Sequence, residues 1–221
     1  MAPRPKHSTK EKAEENRQRI LESAIDSFAQ KGFDGANMRE IARGADVNKY
    51  MLYYHFEDKQ TLFEQVLSTI TQPAFARLTR ATGDAADLEE AVANVYDLYA
   101  DLFTAHSGRL RSFLARELAA GAPRLGKVFK VKGPEIVRLW EPKITAYLAV
   151  DKLPYQDLVR TVISIMSTIV ATFLTEPLFR NILEVYGLSP QDPAHREHVI
   201  RFILGGVRHR IGHVEAVRTE V

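Results

Sequence analysis

The sequence predicts an all-α protein in two parts, with a small N-terminal helix-turn-helix domain of three helices before a larger helical domain. Apolar residues recur at three- and four-residue spacing along most of the chain, as on amphipathic helices. No segment between residues 11 and 70 alternates like a β-strand. In that segment, helix-capping residues separate three short runs by only two or three positions, which favours closely packed helices.

The first helix is predicted over residues 11–31, where Ile20, Ala24 and Phe28 lie on one face and Gly32 follows the end. Three shorter helices come next. Each is preceded by a side chain that can accept an amide hydrogen bond from the first turn, namely Asn37 before 38–45, Asn48 before 49–55 and Asp58 before 59–70.

Five further helices are predicted in the rest of the chain. Pro134 is expected to open the third of these, because proline suits a first helical turn, and Pro142 then implies a kink or an offset start. The fourth is apolar nearly all round and can continue to Leu183. The predicted ranges are 88–102, 110–118, 134–147 and 157–174, with a last helix from residue 193.

Composition excludes several classes of protein. The 221 residues are 45% hydrophobic and 26% charged, unlike collagen-like, low-complexity or disordered chains. Cysteine is absent, which excludes disulfides, thiolate metal sites and cysteine nucleophiles. The net charge of +2 gives no general case for nucleic acid, so DNA contact must depend on local placement.

A cytoplasmic location without membrane contact is predicted from two segments. The first twenty residues are charged throughout and lack the apolar core of a secretory signal. The most apolar stretch, residues 161–174, is shorter than the roughly 20 residues that cross a bilayer.

Residues 38–56 carry the side chains that a helix-turn-helix requires. Ala42 is small where the second helix must cross closely, and Ile41 and Leu52 supply an apolar core. Asp46 occupies the turn, where a left-handed backbone is expected and aspartate is tolerated better than most residues. The second helix of this unit is the predicted recognition helix.

The recognition helix carries groups suited to DNA. In a helix-turn-helix, the first residues of the second helix meet base edges in the major groove. Lysine donates to guanine, a tyrosine hydroxyl reaches a base or a phosphate, and methionine contacts a thymine methyl. The predicted base-reading residues are Arg39, Lys49, Tyr50, Met51 and Tyr54, and the predicted phosphate-contacting residues are Tyr53, His55 and Lys59.

From roughly Arg17 to Ile70, the sequence resembles the TetR family of transcriptional regulators. The family pattern has a phenylalanine and a glycine at the end of the first helix, then a leucine-tyrosine-x-histidine-phenylalanine stretch. Phe28, Gly32 and residues 52–56 match it here. The resemblance implies a DNA-binding regulator and the same base and phosphate roles for Arg39, Lys49, Tyr50, Met51, Tyr53, His55 and Lys59.

Two residues depart from the family pattern. Asp46 replaces the usual glycine of the turn, which is tolerable backbone chemistry. Tyr50 replaces the usual glycine of the recognition helix, so the operator sequence is not predicted.

The expected domain organisation has a basic flexible arm at residues 1–10, a helix-turn-helix domain at 11–57, a connecting helix at 58–82 and an effector-binding and dimerisation domain at 83–221. The arm, with Arg4, Lys6 and Lys10 and no acidic residue, either reaches a minor groove or stays a solvated tail.

In TetR-like proteins the larger domain binds a small molecule and dimerises, and the resemblance implies the same here. Independently, the helix over 157–174 has more apolar surface than one protein-facing stripe needs, and Gly205 and Gly206 allow close approach in the last helix. We expect a homodimeric repressor that binds a palindromic double-stranded DNA operator and is released by a small hydrophobic or aromatic effector. The candidate pocket residues, each of which can also be plain core, are Tyr96, Tyr99, Phe103, His106, Phe113, Trp140 and Met166.

Two weaker patterns point elsewhere. Residues 121–128, GAPRLGKV, have the glycines and lysine of a phosphate-binding loop, but Val128 cannot ligate magnesium. Two histidine pairs near the C-terminus, His195 with His198 and His209 with His213, are spaced like metal ligands, although no third ligand is assigned. We predict no metal and no cofactor. The alternative function is a helical small-molecule-binding enzyme or hydrolase that uses these histidines.

Overall fold

The computed structural model describes residues 9–105, 108–189 and 192–218. Over these residues the protein is all-α, as predicted, with ten helices and no strand. The helices are α1 Thr9–Gly35, α2 Met38–Gly44, α3 Lys49–His55, α4 Lys59–Gly83, α5 Leu88–Ala105, α6 Arg109–Ala119, α7 Leu125–Leu148, α8 Tyr155–Leu174, α9 Glu176–Val185 and α10 Pro193–Arg218.

The described residues form two compact units. The first lies within Met1–Pro73 and Gly108–Gly126, and the second lies within Ala74–Ser107 and Lys127–Val221. Helix α6 was expected in the larger domain, but it packs on α1 and so belongs to the first unit.

The first unit is built around the inward face of α1. Helices α2, α3 and α6 all pack on this helix. The rings of Phe28, Phe63 and Phe113 meet at its centre, with centroids 4.8 Å apart for Phe28 and Phe63 and 5.4 Å apart for Phe63 and Phe113. Edge-to-face and offset ring pairs contribute about 0.5–1.5 kcal/mol beyond area burial. The predicted end of the first helix is confirmed, because the backbone leaves helical geometry at Gly32 with φ 71°.

The second unit is centred on α5, against which α8 and α10 pack. Its core holds buried residues from α5, α7 and α8, including Val92, Tyr96, Trp140, Ile165 and Phe173. A bidentate pair at 2.7 Å between Arg196 of α10 and Asp97 of α5 adds a surface link.

Three predicted helix limits are wrong. Helix α7 begins at Leu125, so Pro134 lies inside the helix and does not open it. The helix predicted to end near Ile70 continues through Pro73 as α4. Helix α8 ends at Leu174 and does not reach Leu183, because Pro177 has no amide hydrogen to continue the helix, and the separate helix α9 begins at Glu176. In α4 and α7 the helix continues through its prolines, because tertiary packing outweighs the lost backbone hydrogen bonds. In contrast, α9 has no buried residue that would hold it in line with α8.

Helix α8 is also longer than the apolar stretch that was used to predict no membrane contact. It has 20 residues and a mean hydropathy of 1.6 over its most apolar window, so it satisfies the length and composition of a membrane span. About a third of that window is buried inside the protein. A core helix passes the same test, and the packing of α8 on α5 and α10 shows what its buried face does.

Candidate nucleic-acid interface

Both helices of the predicted helix-turn-helix begin with the expected asparagine caps. The Asn37 side-chain oxygen accepts from the backbone amide of Arg39 at 2.9 Å, and that of Asn48 accepts from Met51 at 2.7 Å. Such a cap stabilises a helix by about 1 kcal/mol, which matters for helices of only seven residues. The sequence therefore defines where the recognition helix α3 starts.

The turn between α2 and α3 has the left-handed residue that was expected. Asp46 has φ 51°, and the amide of the following Val47 donates to the Ala42 carbonyl at 3.0 Å to close the turn. The Asp46 carboxylate lies 3.6 Å from the Arg19 guanidinium, which links the turn to α1. The angle between the two helices is thus set by backbone geometry that few residues adopt.

One side of α3 is buried and the other faces solvent. Leu52 is fully buried and Phe56, just after the helix, is 1% exposed, so these two residues hold α3 in the core of the first unit. In contrast, Tyr50 is 77% exposed and Tyr54 is 69% exposed. Two large aromatic side chains turned outward from a well-anchored short helix are typical of a surface that binds a partner.

The other predicted base-reading residues lie at the same start of the unit. Lys49 is exposed at the first position of α3, and its ammonium sits 5.4 Å from the Tyr53 ring centroid. Arg39 is exposed in the first turn of α2. Met51 is half-buried, so its side chain has less freedom to reach outward than its neighbours.

Two predicted phosphate-contacting residues are turned towards the protein. The Nε2 atom of His55 is buried, and no hydrogen-bond partner is described for it. Burial, and then the nearby Arg17 guanidinium, lower the pKa of the His55 imidazole below its ordinary value. The Lys59 ammonium donates to the Asp34 carbonyl at 3.0 Å and lies 4.8 Å from the Phe33 ring centroid. For Lys59 to reach a phosphate, its ammonium must leave this site.

Sequence reasoning missed part of the charge pattern beside α3. Arg43 is exposed in the last turn of α2. The one acidic residue in the first turn of α2, Glu40, is paired with Lys31 at 2.5 Å, and this hydrogen bond holds the pKa of the Glu40 carboxyl below its usual value. Within the described part of the chain, this pairing leaves Arg39 and Arg43 as the unpaired charges that α2 presents. The only feature of the sequence that could have indicated Arg43 is its basic side chain in the last turn of a predicted helix.

The candidate effector residues are only partly brought together. Tyr96, Tyr99 and Phe103 of α5 form a ring cluster with Phe173 of α8, with Tyr96 and Phe173 centroids 5.0 Å apart. Burial raises the pKa of Tyr96 and of Tyr99 to about 12, so both phenols stay neutral. Phe173 was not predicted, because nothing in the sequence links positions 70 or more residues apart.

The remaining pocket candidates are scattered. Phe113 packs on Phe63 in the first unit, so it is a core residue there. Trp140 is fully buried, and no partner is described for its indole N–H. Met166 is half-buried on α8, and His106 lies outside the described residues. A groove of about 330 Å³ in the second unit is lined by other residues, among them Leu88, Pro142 and Tyr147.

The GAPRLGKV segment binds a carboxylate of its own chain. Gly121 has φ 83° and follows the end of α6, as predicted. One oxygen of the buried Glu117 carboxylate accepts from the amides of Arg124 and Leu125 at 2.8 and 3.0 Å. These amides, at the start of α7, are therefore occupied by Glu117. Within the described ranges, no cluster of three or more His, Asp and Glu side chains is arranged to hold a metal ion.

Residues 20–66, which contain this interface, match the family model described as bacterial regulatory proteins, tetR family. The helix-turn-helix domain of this chain belongs to the TetR family. The resemblance drawn from Phe28, Gly32 and residues 52–56 is thus confirmed for the TetR domain.

Two curated relatives match this chain over about a quarter of its length. The HTH-type transcriptional regulator AcrR of Shigella flexneri is 41% identical over 58 residues, which are 26% of this chain and 27% of AcrR. The biofilm operon icaADBC HTH-type negative transcriptional regulator IcaR of Staphylococcus aureus strain Newman is 40% identical over 47 residues, 21% of this chain and 25% of IcaR. The match spans about a quarter of the length of these relatives.

The likeness in fold extends beyond the TetR domain. The transcriptional regulator FadR of Bacillus subtilis, solved in complex with stearoyl-CoA, aligns with a TM-score of 0.65 over 86% of this chain and 98% of FadR. The sequence identity is 16%, so this comparison shows a shared fold.

Proposed function

We propose that the protein is a TetR-like transcriptional regulator that binds double-stranded DNA through α3. The observation that carries this proposal is the pair of exposed tyrosines, Tyr50 and Tyr54, on a helix anchored by the buried Leu52. With Lys49 and Arg39 beside them, the surface offers hydrogen-bond donors and aromatic faces suited to base edges. Tyr53 would contact phosphates. Lys59 would also contact them once its ammonium has left the Asp34 carbonyl. His55 would instead support α3 from within.

The regulator would act as a homodimeric repressor in the cytoplasm on a palindromic operator. The relative IcaR is a negative regulator by name, which supports repression. Ile163 of α8 and Phe202 of α10 are large exposed apolar residues, and Gly205 and Gly206 are exposed beside the latter. Such a surface suits a self-complementary two-fold contact. Two copies of α3 would then meet successive major grooves about 34–36 Å apart or somewhat more.

A small hydrophobic or aromatic effector would release the operator by favouring a different spacing of the two recognition helices. FadR, which shares this fold, was solved with stearoyl-CoA, and that supports an effector with an apolar portion. The ring cluster of Tyr96, Tyr99 and Phe103 and the indole N–H of Trp140 are the proposed contacts in the second unit. These contacts require the cluster to open.

The direct test is selection of a bound duplex from a random DNA pool, followed by affinity measurements on variants. Lys49→Ala should relax preference at one or two base pairs, losing about 1–3 kcal/mol of discrimination. Lys130→Ala, at an exposed lysine of α7, is the matched control and should leave preference unchanged. An unchanged preference in Lys49→Ala would remove Lys49 from the base-reading residues.

The enzyme alternative has less support. His195 is half-buried, and its pKa is lowered by burial and then by His198. Among the described side chains, no group of three or more His, Asp and Glu residues is arranged to hold a metal ion, and the His213 side chain lies outside them. The relatives AcrR and IcaR are transcriptional regulators by name. Turnover of a small ester by the purified chain, lost in His195→Gln, would favour the enzyme.

A further inference from the structure

We propose that α9 is an interface helix whose apolar face is covered by a second copy of this chain. This inference rests on the proposed homodimer and adds to it a surface outside α8 and α10. The face consists of Leu178, Ile182 and Val185 of α9 together with Tyr186, the residue that caps the C-terminal end of the helix, and it is called the α9 face below.

The spacing of these residues places them together. Positions 178, 182, 185 and 186 recur at intervals of four, three and one, which on an α-helix puts all four within one stripe. Each of them is between 57% and 79% exposed, and α9 has no buried residue among those described. The inward side of the helix is instead made by the half-buried Glu176 and Leu183. The chain therefore turns the more apolar side of α9 away from its own core.

The extent of the α9 face is unusual for a protein that remains a monomer. Four such side chains expose on the order of 500 Å² together, since one aromatic side chain alone carries about 150–250 Å². The largest apolar patch on a typical monomer is about 300–600 Å² and commonly binds a partner. Two copies that meet through this face would bury about 1,000 Å² in total, which reaches the lower limit of specific interfaces.

The charges of α9 favour a protein partner over a lipid surface or nucleic acid. Glu176, Arg180 and Glu184 lie on the opposite side of the helix from Ile182, and together they carry a net charge of −1. Arg180 is already held by Glu176 at 2.9 Å. Helices that bind anionic membranes carry lysine and arginine beside their apolar face, and α9 does not. A face without charge meets a copy of itself without like-charge repulsion.

The position of α9 in the chain favours a second copy of this chain, rather than a different protein, as the partner that covers the α9 face. Thr175 alone separates α9 from α8, whose exposed residues include Ile163, Ser167 and Ala171. This strip of α8 is the surface proposed above for the two-fold contact. A copy that covers α8 therefore lies next to α9, and closed two-fold dimers are the commonest oligomers.

The absence of cysteine allows a site-specific test in the full chain. Val185→Cys places a single thiol on the α9 face, and Val131→Cys places one on α7 at a nearly equal exposure, 75% against 79%. The rate of maleimide labelling is measured over a range of protein concentrations, with the oligomeric state followed by sedimentation. The thiol of the Val185→Cys variant should label about tenfold more slowly once nine in ten chains are paired, whereas labelling of the Val131→Cys variant should not change.

The outcomes separate this proposal from the homodimer itself. Dimerisation with unchanged labelling of the Val185→Cys variant would overturn the α9 proposal and leave the dimer standing. A chain that stays monomeric at all concentrations would overturn both. Ile182→Glu supplies a second readout: it should raise the dimer dissociation constant, while Val131→Glu should not, and equal effects of the two would contradict the assignment.

Discussion

Asp46 and Tyr50 are the two residues at which this chain departs from the glycines of TetR-like sequences, and they have different physical roles. Asp46 takes up the left-handed backbone that glycine adopts freely, with φ 51°. Tyr50, the second residue of α3, lies in helical geometry that does not require glycine, and its ring is 77% exposed. We therefore expect a change at Asp46 to affect stability and a change at Tyr50 to affect the proposed recognition of DNA.

Replacing Asp46 tests the first role. Asp46→Gly should raise the free energy of unfolding by up to about 1 kcal/mol, because a left-handed backbone costs a non-glycine residue roughly 1–2 kcal/mol and the exposed pair with Arg19 contributes little. Asp46→Val should lower the free energy of unfolding by at least as much as Asp46→Gly raises it, because a β-branched residue suits a left-handed backbone poorly. Urea unfolding followed by circular dichroism checks both, and a stabilising Asp46→Val would contradict the turn geometry.

His55 should make the first unit sensitive to acid. Its folded-state pKa lies below the ordinary value of 6.5, chiefly through burial. As the pH falls past the ordinary value, the unfolded chain takes up the proton first, so stability is lost until the folded-state pKa is passed. His55→Gln should remove this component of the loss between neutral pH and about pH 5. A His55→Gln variant that loses as much stability as wild type over this range would disprove the assignment.

At the scale of elements, the turn between α6 and α7 joins residues that are distant in sequence. Glu117 is 4% exposed and binds the first amides of α7. The Arg124 guanidinium lies 3.7 Å from the centroid of Phe33 and 4.8 Å from that of Phe63. The turn is thereby fixed to α1 and α4 within the first unit. The sequence showed only a defective phosphate-binding pattern here, because the aromatic partners of Arg124 are more than 50 residues away.

Changes at Glu117 should separate its hydrogen bonds from its charge. Glu117→Ala leaves the buried amide of Leu125 and the partly buried amide of Arg124 without this acceptor and should cost about 3 kcal/mol of unfolding free energy. Glu117→Gln keeps one acceptor oxygen and loses the charge beside Arg124, so it should cost about 1 kcal/mol. Glu135→Gln, at an exposed site on α7, should cost less than about 0.5 kcal/mol. Equal stability of all three in urea unfolding would show that Glu117 does not hold the turn.

The elements predicted from sequence are those whose signals are local. The caps Asn37 and Asn48 act within three residues, so the limits of α2 and α3 were predicted closely. The start of α7 and the break after α8 were missed, because they depend on how tertiary packing competes with proline. The same distinction holds for the site: exposure of Tyr50 followed from the helical register, whereas the inward turn of His55 depends on α1.

At the scale of the whole molecule, the proposed DNA binding depends on where the basic residues lie more than on the overall charge. The net charge is only +2, yet Arg39, Arg43 and Lys49 lie on the two short helices of the TetR domain. A regulator built this way should show a strong salt dependence from a small surface, since each neutralised phosphate releases counterions. The second unit would add effector binding and pairing of two copies, the parts of the account that depend most on distant residues.

The central claim, that the exposed face of α3 reads DNA, is tested most directly by the affinity of the selected duplex for Tyr50→Ala. We predict binding at least about tenfold weaker than wild type, a loss of about 1.4 kcal/mol, with unchanged urea unfolding. Tyr155→Ala, an exposed tyrosine at the start of α8, should bind like wild type. Wild-type affinity in a folded Tyr50→Ala variant would contradict the account.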